Sequence, residues 1–198
     1  MNYIKEVPLY NKDDTINVVI EIVEGSNDKN ELIAPYFNKL KCDRFTPINY
    51  PFYYGSFPQT FAGDRDPLDM ILFTNKNHKL LDLVKVDVIG AVKTIDAGDQ
   101  DDKIICVEAD CSLKNLKRHM KKAMKFLKNY KGKNADMQID KKLASMSEAF
   151  QLIEEAHLNW RNKDKITSKI ISDTNNRVST NTTNLSNKRV RVIREKVN

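Results

Sequence analysis

Two groups of aspartates in short turns are the residues of this sequence best suited to chemistry. They are Asp64, Asp66 and Asp69 in the first group, and Asp96, Asp101 and Asp102 in the second. A single acidic turn is usually just solvated, but carboxylates a few ångströms apart repel one another, and a divalent cation relieves that repulsion. Oxygen ligands suit Mg²⁺ or Mn²⁺, so the two groups together favour a metal site. An EF-hand is excluded, because Pro67 falls inside the first group and no glycine stands at the required position.

Basic and phenolic residues elsewhere in the chain could hold an anionic substrate beside such a metal site. Arginine gives bidentate contacts to phosphate, lysine supplies a point charge, and tyrosine hydroxyls donate to oxyanions. Each residue alone is more often an ordinary surface residue, so the prediction depends on the whole set. That set is Lys29, Arg44, Tyr50, Tyr54, Lys103, Tyr130 and Lys131, with the further carboxylates Glu21 and Glu31.

The composition is typical of a globular chain and argues against a membrane helix. Hydrophobic residues make up 40% of the 198 residues, and no apolar run approaches the ~18 residues that a span requires. The three cysteines form no CxxC pair, and the N-terminal residues contain no apolar leader run. We therefore expect reduced thiols and a cytoplasmic location. The three histidines have no metal-ligand spacing.

Positive charge is concentrated toward the C-terminus. The net charge is +6, but residues 161–198 alone carry ten Lys/Arg and three Asp/Glu, which leaves −1 for residues 1–160. This distribution argues against nucleic-acid binding by the body of the chain. For the tail we expect a disordered basic segment, with a contact to RNA, an acidic partner or a neighbouring subunit as the alternative.

The hydrophobic pattern predicts strands followed by two helices, which is an α+β order. Apolar runs that alternate or are β-branched predict strands at 17–22, 70–73, 83–95 and 104–107, the third with a bend at its glycine. The aromatic segment 50–61 predicts an ordered loop. Apolar residues at three- and four-residue steps predict helices at 113–127 and about 141–160, and 175–187 reads as a linker. The many lysines of the first helix are expected to form a solvated surface, with a partner site as the alternative.

Several motifs that follow one another in unbroken order resemble one enzyme family. The turn GDRDPLD at 63–69 is close to a D-x-D-P-x-D signature, and further motifs are VVIEI, the Lys29/Glu31 pair, DRF, YPFYYG with PQTFAGD, IGAVKTIDAGDQDDK and NYK. Over roughly residues 15–160 the chain thereby resembles the soluble family I inorganic pyrophosphatases. The resemblance implies a small five-stranded OB-like closed β-barrel with two main helices packed against it, in an α+β fold.

The same resemblance implies a role for each candidate site residue. Asp66 would be the general base beside the attacking water. The metal ions would be held by Asp64, Asp69, Asp96 and Asp101, with Glu21 and Glu31 helping mainly through water. The two phosphoryl groups would be bound by Lys29, Arg44, Tyr54, Lys103, Tyr130 and Lys131, with Tyr50 supporting the site. Two departures from the family pattern are Arg65, where glycine is usual, and Ala97, where bacterial members usually carry glutamate.

The implied activity is Mg²⁺-dependent hydrolysis of pyrophosphate to two orthophosphates, with Mn²⁺ or Zn²⁺ as substitute ions. The implied domain covers residues 1–165, followed by a basic low-complexity tail at 166–198, and the implied assembly is a homo-oligomer, a hexamer by analogy with bacterial members. Three alternatives stay open at this point. They are a degenerate homologue that acts as a binding or scaffold module, a barrel that binds single-stranded nucleic acid, and a phosphatase or nuclease for other phosphate esters.

Overall fold

Short aliphatic and β-branched runs form four of the ten strands that the structure describes. The computed structural model describes residues 1–132 and 137–162. Within them the strands are β1 (Ile16–Ile22), β2 (Asp28–Leu32), β3 (Leu40–Phe45), β4 (Tyr53–Ser56), β5 (Asp69–Phe73), β6 (Leu83–Val92), β7 (Thr94–Asp96), β8 (Asp99–Gln100), β9 (Lys103–Glu108) and β10 (Met137–Ile139). The helices are α1 (Leu116–Leu127) and α2 (Met146–Arg161).

Five of these strands close into a barrel in the order β1-β4-β5-β9-β6, and β6 pairs back onto β1. Every pair in the barrel is antiparallel except β5 and β9, which run parallel with Asp69 opposite Lys103. Alternate side chains point inward, so the barrel interior is filled by apolar residues such as Val18, Met70 and Ile104. The predicted α+β fold, a five-stranded OB-like barrel with two helices, is confirmed.

Two glycines permit close backbone contacts that hold the barrel in shape. A Cβ at Gly55 would lie 1.8 Å from the carbonyl oxygen of Val19, so β4 can approach β1 only without a side chain there. A Cβ at Gly90 would lie 2.7 Å from the carbonyl oxygen of Ala144. The bend predicted in β6 is present as a register shift between Val88 and Gly90.

Two small sheets lie beside the barrel, and the sequence pattern missed most of their strands. One is the β2–β3 hairpin, and the other has the order β10-β7-β8. Both are short and polar, so neither gives the apolar signal from which strands are usually predicted. The loop predicted at 50–61 is also wrong in part, because β4 lies inside it. Its aromatic composition resembles a loop, but pairing with both β1 and β5 makes it a strand.

The two helices pack against different parts of the barrel core. Helix α1 buries Ala123, Phe126 and Leu127 beside the aromatic residues of one core cluster. Helix α2 buries alanine and isoleucine side chains against the other cluster. Both helices are confirmed, although each begins later than predicted.

Helix α2 begins at Met146 rather than near 141 because the preceding residues have other partners. Ala144 forms an isolated bridge with Ala91 of β6. Ser145 and Glu148 then form a capping box: Glu148 accepts a 2.8 Å hydrogen bond from the Ser145 amide, and the Ser145 hydroxyl accepts one from the Glu148 amide. This reciprocal pair fixes where the helix starts.

Among the described residues, no helix is long and apolar enough to cross a membrane. The predicted linker at 175–187 and the predicted tail at 166–198 both lie outside the described residues. The boundary at 165 therefore stays a prediction.

Candidate active site

One pocket of about 320 Å³ gathers almost all of the candidate site residues. It opens where β5 and β9 begin, at one mouth of the barrel. Thirteen of the fourteen candidates line it: Glu21, Lys29, Glu31, Arg44, Tyr54, Asp64, Asp66, Asp69, Asp96, Asp101, Lys103, Tyr130 and Lys131. These residues come from separate strands, turns and the end of α1, so the fold brings together side chains that are far apart in the sequence.

Lys103 is the buried cation at the centre of the pocket. Its side chain is 1% exposed and forms ion pairs with Asp69, at 2.6 Å, and with Asp101. Burial opposes the charge on Lys103, but the two carboxylates outweigh that effect and raise its pKa. The parallel register of β5 and β9 sets Asp69 beside Lys103, and the Tyr54 hydroxyl also donates to Asp69.

A second ion pair in the pocket lining joins Lys131 to Asp96. Lys131 follows α1, and Asp96 ends β7. Tyr130 is held beside them by stacking on Phe126 of α1, with ring centroids 5.1 Å apart. Packing of α1 on the barrel thus fixes the position of both Tyr130 and Lys131.

The β2–β3 hairpin supplies the two cations at the outer edge of the pocket. Lys29 and Arg44 are register partners across the hairpin. Lys29 pairs with Glu31 and lies 3.7 Å from Asp43, while Arg44 lies 3.0 Å from the same Asp43 carboxylate. Contacts with the acidic side chains of the same hairpin therefore hold Lys29 and Arg44 side by side.

The acidic turn between β4 and β5 is organised by its own backbone. The Asp64 carboxylate accepts a 3.0 Å hydrogen bond from the Asp66 amide, and the Asp66 carbonyl accepts one from Ala62 at 2.8 Å. Arg65, between the two aspartates, adopts a φ of +73°. This is the left-handed region that favours glycine, which accounts for the glycine usual in the resembled family.

Four carboxyl groups of the pocket have a raised pKa: Glu21, Asp64, Asp66 and Asp101. Burial, with added repulsion from Asp69 and Glu31, raises the pKa of Glu21 to about 8, although the Ser56 hydroxyl donates to it. Burial also raises the pKa of Asp101 to about 6, against the pull of Lys103. The pKa of Asp66 is raised by burial and by the charge of Asp64. The pocket is lined by more carboxyl groups than cations, and the repulsion among the carboxylates favours their protonated forms.

Tyr50 is the candidate that the structure places away from the pocket lining. It is 1% exposed and packs among aromatic rings, 4.4 Å from Phe126 and 5.7 Å from Tyr54 between ring centroids. Its position is behind Tyr54 and Tyr130 rather than in the cavity.

Several lining residues were not predicted as site residues. Asp99, Ser56 and Asn30 line the cavity as well. Asp99 belongs to the second acidic loop, so its acidic context was a usable signal, whereas nothing marks Ser56 or Asn30 in the sequence. Asp102, noted among the acidic residues, also lines the cavity. It accepts hydrogen bonds from the Thr94 amide at 2.9 Å and from Gln100 at 2.6 Å, which fix the loop.

The pocket fits hard divalent cations in its donor chemistry. Six carboxylates predicted as ligands surround one cavity, and burial raises the pKa of several of them, so added positive charge would relieve their repulsion. Within residues 1–132 and 137–162, no three acidic, histidine or cysteine side chains lie together in metal-binding geometry. Lysines lie between the carboxylates instead.

Comparisons with known proteins find similarity to one enzyme family. The family model described as inorganic pyrophosphatase matches residues 18–161. A relative named inorganic pyrophosphatase from Dictyostelium discoideum is 30% identical, over 91% of this chain and 79% of its own length. One from Picrophilus torridus is 37% identical over 56% of this chain and 63% of its own length.

Solved structures give the same result. An inorganic pyrophosphatase from Neisseria gonorrhoeae is 31% identical, with a TM-score of 0.66 over 74% of this chain and 91% of that chain. A type I inorganic pyrophosphatase from P. falciparum, at 24% identity, shares the fold with a TM-score of 0.78 over 89% of this chain and 68% of that chain.

Proposed function

Since the chain belongs to the inorganic pyrophosphatase family, we propose that the pocket at its barrel mouth hydrolyses pyrophosphate to two orthophosphates. The observation that carries this proposal is the convergence of seven candidate carboxylates and six cationic or phenolic groups on one cavity of about 320 Å³. Pyrophosphate is small and strongly anionic, so its hydrolysis requires positioning and charge stabilisation more than covalent chemistry. The family match supports the same activity and gives no support to a scaffold role.

The carboxylates would hold divalent metal ions, with Mg²⁺ as the proposed ion and Mn²⁺ or Zn²⁺ as substitutes. Asp64, Asp69, Asp96 and Asp101 are the proposed ligands, with Glu21 and Glu31 acting through water. When bound, such ions neutralise phosphate charge and make water more acidic. Asp69 and Asp101 both form ion pairs with Lys103. To bind metal ions, these two carboxylates would have to contact the ions as well as Lys103.

The cations and hydroxyls of the pocket would bind and orient the two phosphoryl groups. Lys29 and Arg44 come from the β2–β3 hairpin, Lys103 and Tyr54 from β9 and β4, and Tyr130 and Lys131 from the segment after α1. A substrate in the cavity would therefore contact side chains from three parts of the fold. We assign Lys29, Tyr54 and Lys103 to the phosphoryl group under attack, and Arg44, Tyr130 and Lys131 to the leaving phosphate, which they stabilise as its charge develops.

Asp66 is the proposed general base. Its carboxylate lines the cavity between the acidic turn and the hairpin, and burial together with the charge of Asp64 raises its pKa. A base with a raised pKa accepts the proton of an attacking water more readily near neutral pH. Tyr50 would support the site from behind by packing against Tyr54.

Orthophosphate release from pyrophosphate, measured with and without Mg²⁺, tests the proposal. ATP and a phosphomonoester serve as control substrates. We expect fast release from pyrophosphate that depends on Mg²⁺, and little from the controls. A folded protein that binds Mg²⁺ and releases nothing from pyrophosphate contradicts the proposal, and comparable release from all three substrates would favour a general phosphatase.

We further propose a homo-oligomer, with a hexamer expected, and a cytoplasmic location. Exposed apolar side chains on α2, Met146 and Leu158, are compatible with contacts between subunits. Cys42, Cys106 and Cys111 are all free, which suits a reducing compartment. Light scattering of the purified chain measures the subunit number directly.

A further inference from the structure

The outer surface of α1 carries a dense and unpaired positive charge. No acidic residue occurs between Asp110 and Asp136. Seven basic residues in and beside the helix are exposed: Lys114, Lys117, Arg118, Lys121, Lys122, Lys125 and Lys128. None of the seven forms an ion pair with an acid in the part of the chain that the structure describes. We call these seven residues the basic ridge.

The basic ridge lies on one side of the helix. At 100° per residue, the six positions from Lys117 to Lys128 fall within an arc of about 140°, and Lys114 lies just before the helix. The apolar residues of α1 occupy the remaining arc and pack against the barrel. From Lys117 to Lys128 the ridge extends about 17 Å along the helix axis, at 1.5 Å per residue. It is therefore a continuous strip of cations that faces solvent.

The start of α1 makes this positive strip stronger. The residue that precedes the helix, Asn115, makes no side-chain capping hydrogen bond, and the first turn contains no acid. Lys117 and Arg118 occupy that turn instead, where the helix dipole already adds positive charge and where anions are favoured. Neighbouring like charges three and four residues apart repel as well. A bound polyanion relieves both effects.

From this placement we propose that the basic ridge binds the phosphate backbone of duplex nucleic acid without reading its sequence. A duplex carries one charge per ~1.7 Å of its axis, so a 17 Å strip of cations lies beside many phosphates at once. The ridge contains no exposed aromatic side chain that could stack on bases. Its contacts are therefore confined to phosphates, which position a duplex but do not specify it.

Two other partners fit the surface less well. Protein interfaces have an apolar centre and few lysines, whereas none of the large exposed apolar residues of the described chain lies between 113 and 132. Insertion into a membrane needs an apolar helix face, and that face of α1 is buried in the barrel. The near-zero net charge of residues 1–160 hides this local concentration, because the acids lie elsewhere, nine of them lining the pocket.

The test compares two full-length variants in which five cations are replaced by glutamine. The ridge variant changes Lys117, Arg118, Lys121, Lys122 and Lys125. The matched control changes five cations of the C-terminal tail: Lys188, Arg189, Arg191, Arg194 and Lys196. Binding to two fluorescent 20-base-pair DNA duplexes of unrelated sequence is measured by anisotropy from 50 to 200 mM salt. Circular dichroism and pyrophosphate hydrolysis check that each variant folds and keeps its pocket.

We expect the parent chain to bind both duplexes within threefold of each other. The ridge variant should bind at least tenfold more weakly, and its salt slope should fall by up to about 4, since each lost phosphate contact removes ~0.9. The tail control should keep most of the slope. Pyrophosphate hydrolysis should be unchanged in both variants.

Four outcomes overturn the proposal. The parent chain fails to bind either duplex at 50 mM salt, or the ridge variant binds like the parent. The tail control, rather than the ridge variant, loses the affinity. The ridge binds vesicles containing phosphatidylserine while neither duplex binds. A tenfold preference for one duplex would overturn the claim that sequence is not read.

Discussion

The two ends of β9 each bury a charged residue, and their surroundings differ in a way that separates structure from function. At the pocket end, Lys103 is shared by Asp69 and Asp101, with more carboxylates close by. At the other end, Glu108 is 8% exposed and has three partners. They are Thr74, Lys76 at 2.8 Å and His78 at 3.0 Å.

The pKa values shift in opposite directions at these two ends. Burial opposes the charge on Glu108, but hydrogen bonds from Lys76, Thr74 and His78 outweigh it and lower its pKa. At the pocket, burial and mutual repulsion raise the pKa of Glu21 and Asp101. A buried charge whose partners are complete holds the fold together, whereas a cluster of acids short of cations marks the place where ligands bind.

The largest effect expected from this comparison is on turnover at the pocket end. Replacing Asp66 with asparagine should lower kcat by about 10²- to 10⁴-fold if the carboxylate takes a proton from water. Asp87→Asn, an exposed change outside the pocket, is the matched control and should leave kcat unchanged. Steady-state release of orthophosphate measures both, and turnover of Asp66→Asn near the parent rate would exclude the role of base.

The next effect concerns stability without metal. The folded-state pKa of Glu21, about 8, lies above its ordinary value of 4.5, so the folded chain keeps this proton longer than the unfolded chain. Stability should therefore fall as pH rises from about 4.5 to 8, by on the order of a few kcal/mol. Glu21→Gln should flatten this slope and be more stable than the parent at pH 8, while the raised pKa of Asp101 leaves a smaller slope up to about pH 6 in both proteins. Urea unfolding in EDTA at several pH values measures the slope, and equal slopes in both proteins would contradict the account.

At the far end of β9, we expect pH to have a smaller effect on stability, and of opposite sign. Glu108→Gln should cost about 1–3 kcal/mol at pH 7, because it weakens the contacts with Lys76 and His78. The lowered pKa of Glu108 means that its contribution is complete above about pH 4.5 and is lost as pH falls through the folded-state value. The variant and the parent should thus converge in stability in acid, while kcat stays unchanged. A large loss of kcat would show that the two ends are not independent.

The smallest effect concerns the backbone of the acidic turn. Arg65→Gly should raise stability by about 0.5–1 kcal/mol, since a φ of +73° costs an arginine more than a glycine, partly offset by the greater chain entropy of glycine when unfolded. Ala97, with a φ of +50°, offers the same substitution in the second acidic loop. The denaturation midpoint in urea measures both changes. A loss of stability on either substitution would mean that the side chain makes a contribution greater than the strain.

Apolar patterning predicted four of the five barrel strands and both helices, whereas closure into a barrel was implied by the family resemblance alone. It missed β4 and the β2–β3 hairpin, whose stability comes from pairing with partners distant in the chain rather than from local composition. It also placed the start of α2 too early, since the Ala144 bridge depends on a contact with β6.

The candidate site residues were found through ordered motifs rather than through spacing. Spacing alone identifies two acidic loops, but it does not show that Glu21 and Lys131 reach the same cavity. The positive φ of Arg65 could not be predicted from the sequence, because it is a property of the folded turn. The basic ridge was visible as composition, but its arrangement on one side of α1 depends on which helix face the barrel covers.

Closure of the barrel also sets the order of events during folding. Asp69 and Lys103 lie 34 residues apart and meet only through the parallel pairing of β5 with β9. Bringing such distant segments together costs loop-closure entropy, so we expect the pocket to be completed late in folding. Divalent metal ions that bind only the finished pocket should then slow unfolding and leave the refolding rate nearly unchanged. We therefore expect the proposed metal ligands to increase the kinetic stability of the native state.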